Sequence, residues 1–192
     1  ESLMPLPKAE ERPVQVVGPA YGVGYCSPVV IGVLAAVSQE LGEPFGFPGL
    51  AVNVPKQVVE SDLVGNALVW AAVSEAANGE HFNLTNGEVF SWLELWPSLA
   101  DELGLPAAEP LPRKLAEFLP ANSQVWSRVV RRHDLRVPEI GAVLGQSHFY
   151  ADYTFGSGLS EPSPPALVSS IKVKQAGFAE VRDTEATFRG AI

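Results

Sequence analysis

Residues 83–92 read Asn-Leu-Thr-Asn-Gly-Glu-Val-Phe-Ser-Trp (NLTNGEVFSW), and they place a turn and a helix start within ten residues. Asn86-Gly87 is a turn signal, because both residues tolerate the left-handed backbone that tight turns need. No lysine or second glycine follows, so the turn does not read as a phosphate loop. Ser91 and Glu94 have the S-x-x-E spacing of a capping box. Trp92, Trp96, Leu99 and Leu103 then recur at helical spacing and predict a helix with one apolar stripe. Just upstream, His81 to Leu84 alternates around Phe82 and Leu84, the pattern of a half-buried strand. Strand, turn and capped helix in succession read as architecture, and they point to an α/β chain.

The same logic extends in both directions. Val14 to Val17 predicts a short strand stopped by Gly18-Pro19, and residues 18–24 form a glycine-rich loop. Ser27-Pro28 predicts a helix with Ser27 as its cap, ending near Leu41 at Gly42. Phe45 to Phe47 and Gln57 to Glu60 are further strand candidates. A helix follows, capped by Ser61 or Asp62, with an expected apolar face of Leu63, Leu68, Val69, Ala72 and Val73. Beyond Gly104, Pro106, Pro110 and Pro112 mark a linker. Helices are expected over about 112–119, 123–133, 138–153 and 166–175, with another opening at Asp183. The chain thus divides into a strand–helix portion, 1–104, and a helical portion, 105–192.

Composition narrows the partners. Thirteen Lys and Arg stand against 22 Asp and Glu, a formal charge of −9, which disfavours nucleic acid. The basic cluster from Arg128 to Arg132 reads as a solvated helix face. Cys26 is the one cysteine, so no disulfide forms within the chain and a reducing, cytoplasmic setting is expected. The longest apolar run, Val29 to Val37, is too short to cross a membrane, so no membrane partner is expected.

Candidate chemistry is sparse. The loop glycines 18, 22 and 24 have the spacing G-x3-G-x-G, which is not that of a dinucleotide fingerprint. His81, His133 and His148 are isolated, and no metal site is expected. Cys26 has no His or Asp beside it to activate it. Asp152, between Tyr150 and Tyr153, offers acid–base groups. Phe149, Tyr150, Tyr153 and Phe155 gather aromatic rings within seven residues. Such a cluster is either core or, facing a cleft, the wall of a pocket for an apolar molecule with polar handles.

Four pieces, in order, carry a family resemblance: Arg12-Pro13 with Gly18; GEPFGFPG, 42–49; FNLTNGEVF, 82–90, with Trp92 and Trp96-Pro97; and IKVKQAGF, 171–178, with Asp183-Thr184. They resemble the C-terminal half of the progesterone 5β-reductase/iridoid synthase-like (PRISE) group of extended short-chain dehydrogenases, bacterial and fungal members above all. The resemblance covers residues 12 to about 190. It implies the C-terminal part of a Rossmann-type extended fold, with few short strands and a mainly helical substrate-binding region, from an oxidoreductase that reduces enones or carbonyls with NADPH. It also implies that Pro13 and Val14 lie near the cofactor. Tyr21, Tyr25, Cys26, Phe45, Phe149, Tyr150 and Tyr153 would then line the substrate pocket.

In such enzymes the cofactor loop and the catalytic Tyr and Lys precede the Arg-Pro stretch. Here the eleven residues before Arg12 hold Lys8 and no Tyr. NADPH is therefore expected only where a preceding half is supplied, and otherwise no cofactor. Three readings stay open: the substrate-binding portion of a reductase; a cofactor-free isomerase or cyclase with Tyr150, Asp152 or Tyr153 handling protons; and a non-catalytic binding module. A homo-oligomer is compatible with each.

Overall fold

The computed structural model describes residues 14–18 and 24–192. The expectations placed on Arg12, Pro13 and Tyr21 lie outside these residues. Strand β1 (Gln15–Val17) pairs in parallel with β3 (Val58–Glu60), Val16 opposite Val59. A second parallel pair joins β2 (Phe45–Gly46) to β4 (Ala107–Ala108). Parallel strands need long crossovers, and helices supply them. The architecture is helix-rich α/β with few, short, parallel strands. The proline-rich linker after Gly104 therefore contributes a strand that its composition concealed.

The β1-to-β3 crossover contains α1 (Ser27–Leu41), which stops at Gly42 in the left-handed conformation, φ 69°. Its cap is Cys26, not Ser27 as expected. Ser27 sits one residue inside and its Oγ accepts from Gln15 Nε2, tying the helix start to β1. Likewise α2 (Ser61–Val73) begins after Glu60 with no side-chain cap, neither Ser61 nor Asp62 serving.

The expected apolar face of α2 is also corrected. The buried side is Leu63 and Ala67, with Trp70 against Phe82 and Phe178 at 5.5 and 5.7 Å between ring centres. Leu68, Val69 and Val73 face outward, 66, 70 and 83% exposed. The helix is apolar nearly all round, so periodicity gave no means of choosing its inner face.

Helix α3 (Trp92–Glu102) has the predicted capping box: Ser91 Oγ accepts from Glu94 N, and a Glu94 carboxylate oxygen accepts from Ser91 N, both at 3.3 Å. Trp92, 1% exposed, is the centre of the main core. The rings of Phe47, Phe90, Trp96, Phe155 and Phe188 surround it at 5.0 to 6.1 Å. One apolar cluster runs from Val17 to Phe188, drawing on both sides of residue 104.

Residues 81–84 are not a strand. The backbone is organised instead by Asn86, 1% exposed. Its N–H donates to Val58 O at 2.8 Å, and its Oδ1 accepts from Glu60 N at 2.8 Å. Its Nδ2 donates to Thr184 and Thr187 hydroxyls at 3.2 and 3.3 Å, and its carbonyl accepts from Arg182 N at 2.9 Å. Gly87 takes φ 112°, a conformation that costs other residues strain.

The remaining helices are α4 (Leu115–Ala121), α5 (Ser123–His133), α6 (Ile140–Leu144), α7 (Ser147–Phe155), α8 (Ile171–Gln175) and α9 (Thr184–Arg189). The single helix expected over 138–153 is broken at Gly145, φ 51°, and the one expected over 166–175 keeps only its last five residues. Asp183 caps α9, its carboxylate accepting from Ala186 N at 2.7 Å. Among the described residues no helix is long and apolar enough to cross a membrane.

Two outcomes follow for stability. Asn86→Ala strands several buried partners and lowers unfolding free energy by about 3 kcal/mol, read from urea denaturation. Val69→Lys with Val73→Glu alters the exposed stripe only. It leaves unfolding free energy within about 0.5 kcal/mol in urea denaturation.

Candidate functional site

Helix α7 is fixed at both flanks. Along the Phe47 to Ala51 loop, Ala51 N donates to Phe155 O at 2.9 Å and Ser157 Oγ donates to Pro48 O at 3.0 Å. Gly49 lies so near that any Cβ there would collide with the Phe155 carbonyl. On the other flank Asp152 accepts from Leu115 N and Ala116 N at 2.7 and 3.0 Å, capping α4. Both carboxylate oxygens of Asp152, the acid expected to handle protons, are thus engaged by backbone donors. His148 is buried with Nδ1 unpartnered, and burial lowers its pKa despite the nearby Asp152 carboxylate.

With α7 held, Tyr153 and Thr154 meet Val14 and Gln15 at the head of β1, and Lys56 and Trp92, around a cavity of about 100 Å³. The segment carrying Lys56 is set by an antiparallel bridge to Phe90, with Lys56 N donating to Phe90 O at 2.8 Å and Phe90 N to Lys56 O at 3.0 Å. Lys56 Nζ donates to Thr154 O at 3.1 Å. Gln57 also borders the space, its side-chain oxygen accepting from Val168 N at 2.8 Å. Trp92 Nε1 is buried and has no hydrogen-bond partner.

The structure thus brings two expected site residues, Val14 and Tyr153, to one cavity, and adds Gln15, Lys56, Gln57 and Trp92. The sequence signal for Lys56 was slight, a lysine in Pro55-Lys-Gln just ahead of a strand. Trp92 was legible as core and not as a cavity wall.

The other aromatic candidates lie elsewhere. Tyr25 and Tyr150 pack at 5.9 Å between ring centres, beside Gly24. Tyr25 Oη is buried near the Thr154 and Ser27 hydroxyls, and burial, the dominant cause, pushes its pKa above the ordinary 10.0. Phe149 and Tyr150 are half exposed, 52 and 53%, and neither borders the cavity. Phe45 is core, stacked on Trp96 at 4.8 Å, its carbonyl accepting from Trp96 Nε1 at 3.2 Å. Cys26 is a half-buried free thiol at the α1 cap, and its N–H donates to Ser147 Oγ at 3.0 Å.

The α1 start bears on dinucleotide binding, since a pyrophosphate needs open backbone N–H groups at a helix N-terminus. Here the cap N–H is taken by Ser147 and the first-turn hydroxyl by Gln15. At the α1 start and in the cavity of about 100 Å³ by Val14, the described residues alone show no dinucleotide cradle. Among them no three His, Cys, Asp or Glu side chains gather as metal ligands.

A wider groove of about 650 Å³ lies between α1 and α5. Glu40 at its edge is held by Arg128 at 3.0 Å and Arg132 at 2.5 Å. The basic cluster expected as a solvated face is therefore partly spent on one carboxylate.

No family model matches the chain. It is 31% identical over 165 residues to an (S)-8-oxocitronellyl enol synthase of Camptotheca acuminata, 81% of this chain and 40% of that protein. It is 30% identical over 170 residues to the enzyme of the same name in Catharanthus roseus, 83% of this chain and 41% of that protein. It is 28% identical over 165 residues to a 3-oxo-Delta(4,5)-steroid 5-beta-reductase of Arabidopsis thaliana, 81% of this chain and 39% of that protein. The chain is thus similar, over some four-fifths of its length, to proteins bearing the names its motifs suggested. It spans about two-fifths of the length of these relatives. All three are plant proteins and lend nothing to the narrower bacterial or fungal expectation.

Two measurements test the site's parts. Asp152→Ala removes a charged acceptor from two N–H groups and costs about 2 kcal/mol in urea unfolding. A raised phenol pKa in the fold means stability is present below pH 10.0 and lost as pH climbs above it, when the unfolded tyrosine ionises. Tyr25→Phe should flatten that alkaline loss of thermal midpoint while leaving stability at neutral pH nearly unchanged.

Proposed function

We propose that this chain forms the substrate-binding portion of an NADPH-dependent enone or carbonyl reductase of the short-chain dehydrogenase superfamily. In this reading it is the C-terminal part of a Rossmann-type extended fold, and the dinucleotide is held by polypeptide beyond the described residues. The observation that carries the reading is the cavity itself. The head of β1, the Trp of the FNLTNGEVFSW motif and Tyr153 of the aromatic helix converge there, although they lie far apart in sequence. Two of these are pieces on which the resemblance rests or which it assigned to a pocket. The names of the relatives add weight, since one speaks of an enol and another of a 3-oxo steroid.

The division of labour has a physical basis. Hydride chemistry belongs to the cofactor, and the protein's part is to orient the substrate and exclude water. Tyr153 and Lys56 stand where they can shape the electrostatics around a polar ligand group. The outward stripe of Leu68, Val69 and Val73 is the kind of surface that a further domain or a second copy covers. A cytoplasmic setting belongs to the same reading and rests on the lone free thiol of Cys26. The isomerase or cyclase alternative keeps Tyr150 and Tyr153 as proton-handling candidates but loses Asp152 to its capping role.

The test is titration of the purified chain with NADPH and, separately, with 2-cyclohexen-1-one, followed by calorimetry and NMR. The expected result is saturable binding of the enone, with NADPH binding weaker than about 1 mM. Micromolar binding of NADPH would overturn the division proposed here, and failure to bind the enone would overturn substrate binding.

A further inference from the structure

We infer that residues 158–167 form a movable strap along the cavity beside β1, and that the Gln57 side chain is the latch that holds it shut. The inference goes beyond the reading above and stands whatever molecule the cavity takes. Pro164 of the strap and Ala166 line the cavity, and so does Gln57. The strap is therefore a wall of that space. Little holds it in place. Among the described residues, no backbone hydrogen bond is made by residues 158–167. Leu159 and Leu167 are 42 and 49% exposed, so apolar packing does not pin them. Segments with few bonds and little burial open locally at far lower cost than the whole fold.

Both ends of the strap are anchored. On the α7 side Ser157 N donates to Asp152 O at 2.8 Å, and Ser157 Oγ donates to Pro48 O at 3.0 Å. On the α8 side Asn83 Nδ2 donates to Ser169 O at 3.3 Å, and Gln57 Oε1 accepts from Val168 N at 2.8 Å. Of these four bonds, the one to Gln57 alone comes from a side chain that lines the cavity. It is also the hold nearest to Pro164 and Ala166 along the chain.

The sequence of the strap suits a swinging piece. Gly158, φ 73°, begins it with a backbone free to rotate. Pro162, Pro164 and Pro165 fix their own φ angles, so the piece between the hinges moves without crumpling. Breaking the Gln57 bond extends the free segment through Val168. A donor group entering the cavity competes with Val168 N for the same Gln57 oxygen. Filling the cavity and releasing the strap are thereby linked.

The experiment is NMR of the full 192-residue chain, of Gln57→Ala and of Gln57→Glu. Glutamate keeps an acceptor oxygen at that place and alanine does not. The readouts are Val168 amide exchange, backbone order of the strap, and broadening of the Val58 methyls by dissolved TEMPOL. Val58 is 2% exposed and lines the cavity, so its methyls report access. In the parent chain the strap amides are expected at order parameters of about 0.85. In Gln57→Ala they fall below about 0.6, Val168 exchanges about tenfold faster and the Val58 broadening rises about twofold, while α7 keeps its order. Gln57→Glu behaves as the parent does. Strap amides disordered in the parent, or still ordered in Gln57→Ala, overturn the latch, as does a Gln57→Glu chain that matches Gln57→Ala. A freed strap that leaves the Val58 methyls unbroadened overturns its control of access. Should Gln57→Ala not fold, Val168 exchange in the parent decides. A rate insensitive to low urea marks local opening and supports the strap, whereas exchange through global unfolding alone overturns it.

Discussion

One buried amide holds the strand region to the end of the chain. Asn86 uses its backbone and side chain to join β3, the turn it begins and the α9 region, five hydrogen bonds converging on one residue. A parallel pair three residues long cannot persist on its own ladder. Asn86 supplies the outer edge of β3 with a partner, and β3 in turn positions β1. Through Arg182 and the threonines of α9 it also fixes the segment whose Phe188 closes over Trp92. The turn at 86–87 is thus less a connector than a junction.

From that junction the site follows by succession. The backbone running from Gly87 to Ser91 bridges to Lys56 at Phe90, and the capping box then begins α3 with Trp92. The opposite wall comes from α7, laced to the 47–51 loop and pinned to α4 by Asp152. Residues of unrelated sequence position meet because two aromatic layers, one on α3 and one at the end of α7, share Trp92 and Phe155. The polar groups around the cavity are held mostly by backbone partners, which leaves little freedom for them to collapse inward.

Much of this was legible beforehand, and the failures have physical causes. The capping box, the glycine stop of α1, the Asp183 cap and the early strand were carried by local chemistry that sequence records directly. The inner face of α2 was misjudged because Leu, Val, Ala and Trp surround the helix and only the tertiary partners Phe82 and Phe178 select a side. Ser27 and Asp152 were assigned by type, a serine before proline and an acid between tyrosines, yet each is claimed by a distant partner. The tyrosines of α7 were grouped because they are close in sequence. A helix turns them to different sides, so Tyr153 meets the cavity while Tyr150 meets Tyr25. Lys56 and Trp92 required the fold to bring them together.

The close approach at Gly49 has a consequence for how such a pocket can change over generations. Because the loop and the end of α7 are in backbone contact with no side chain between them, the helix has no slack along that direction. Adaptation to a bulkier or slimmer molecule cannot proceed by sliding the helix, as it does where elements meet through deformable side chains. It must proceed by exchanging individual residues on a stationary frame, which makes the repertoire of this scaffold a matter of substitution at a few positions and not of movement.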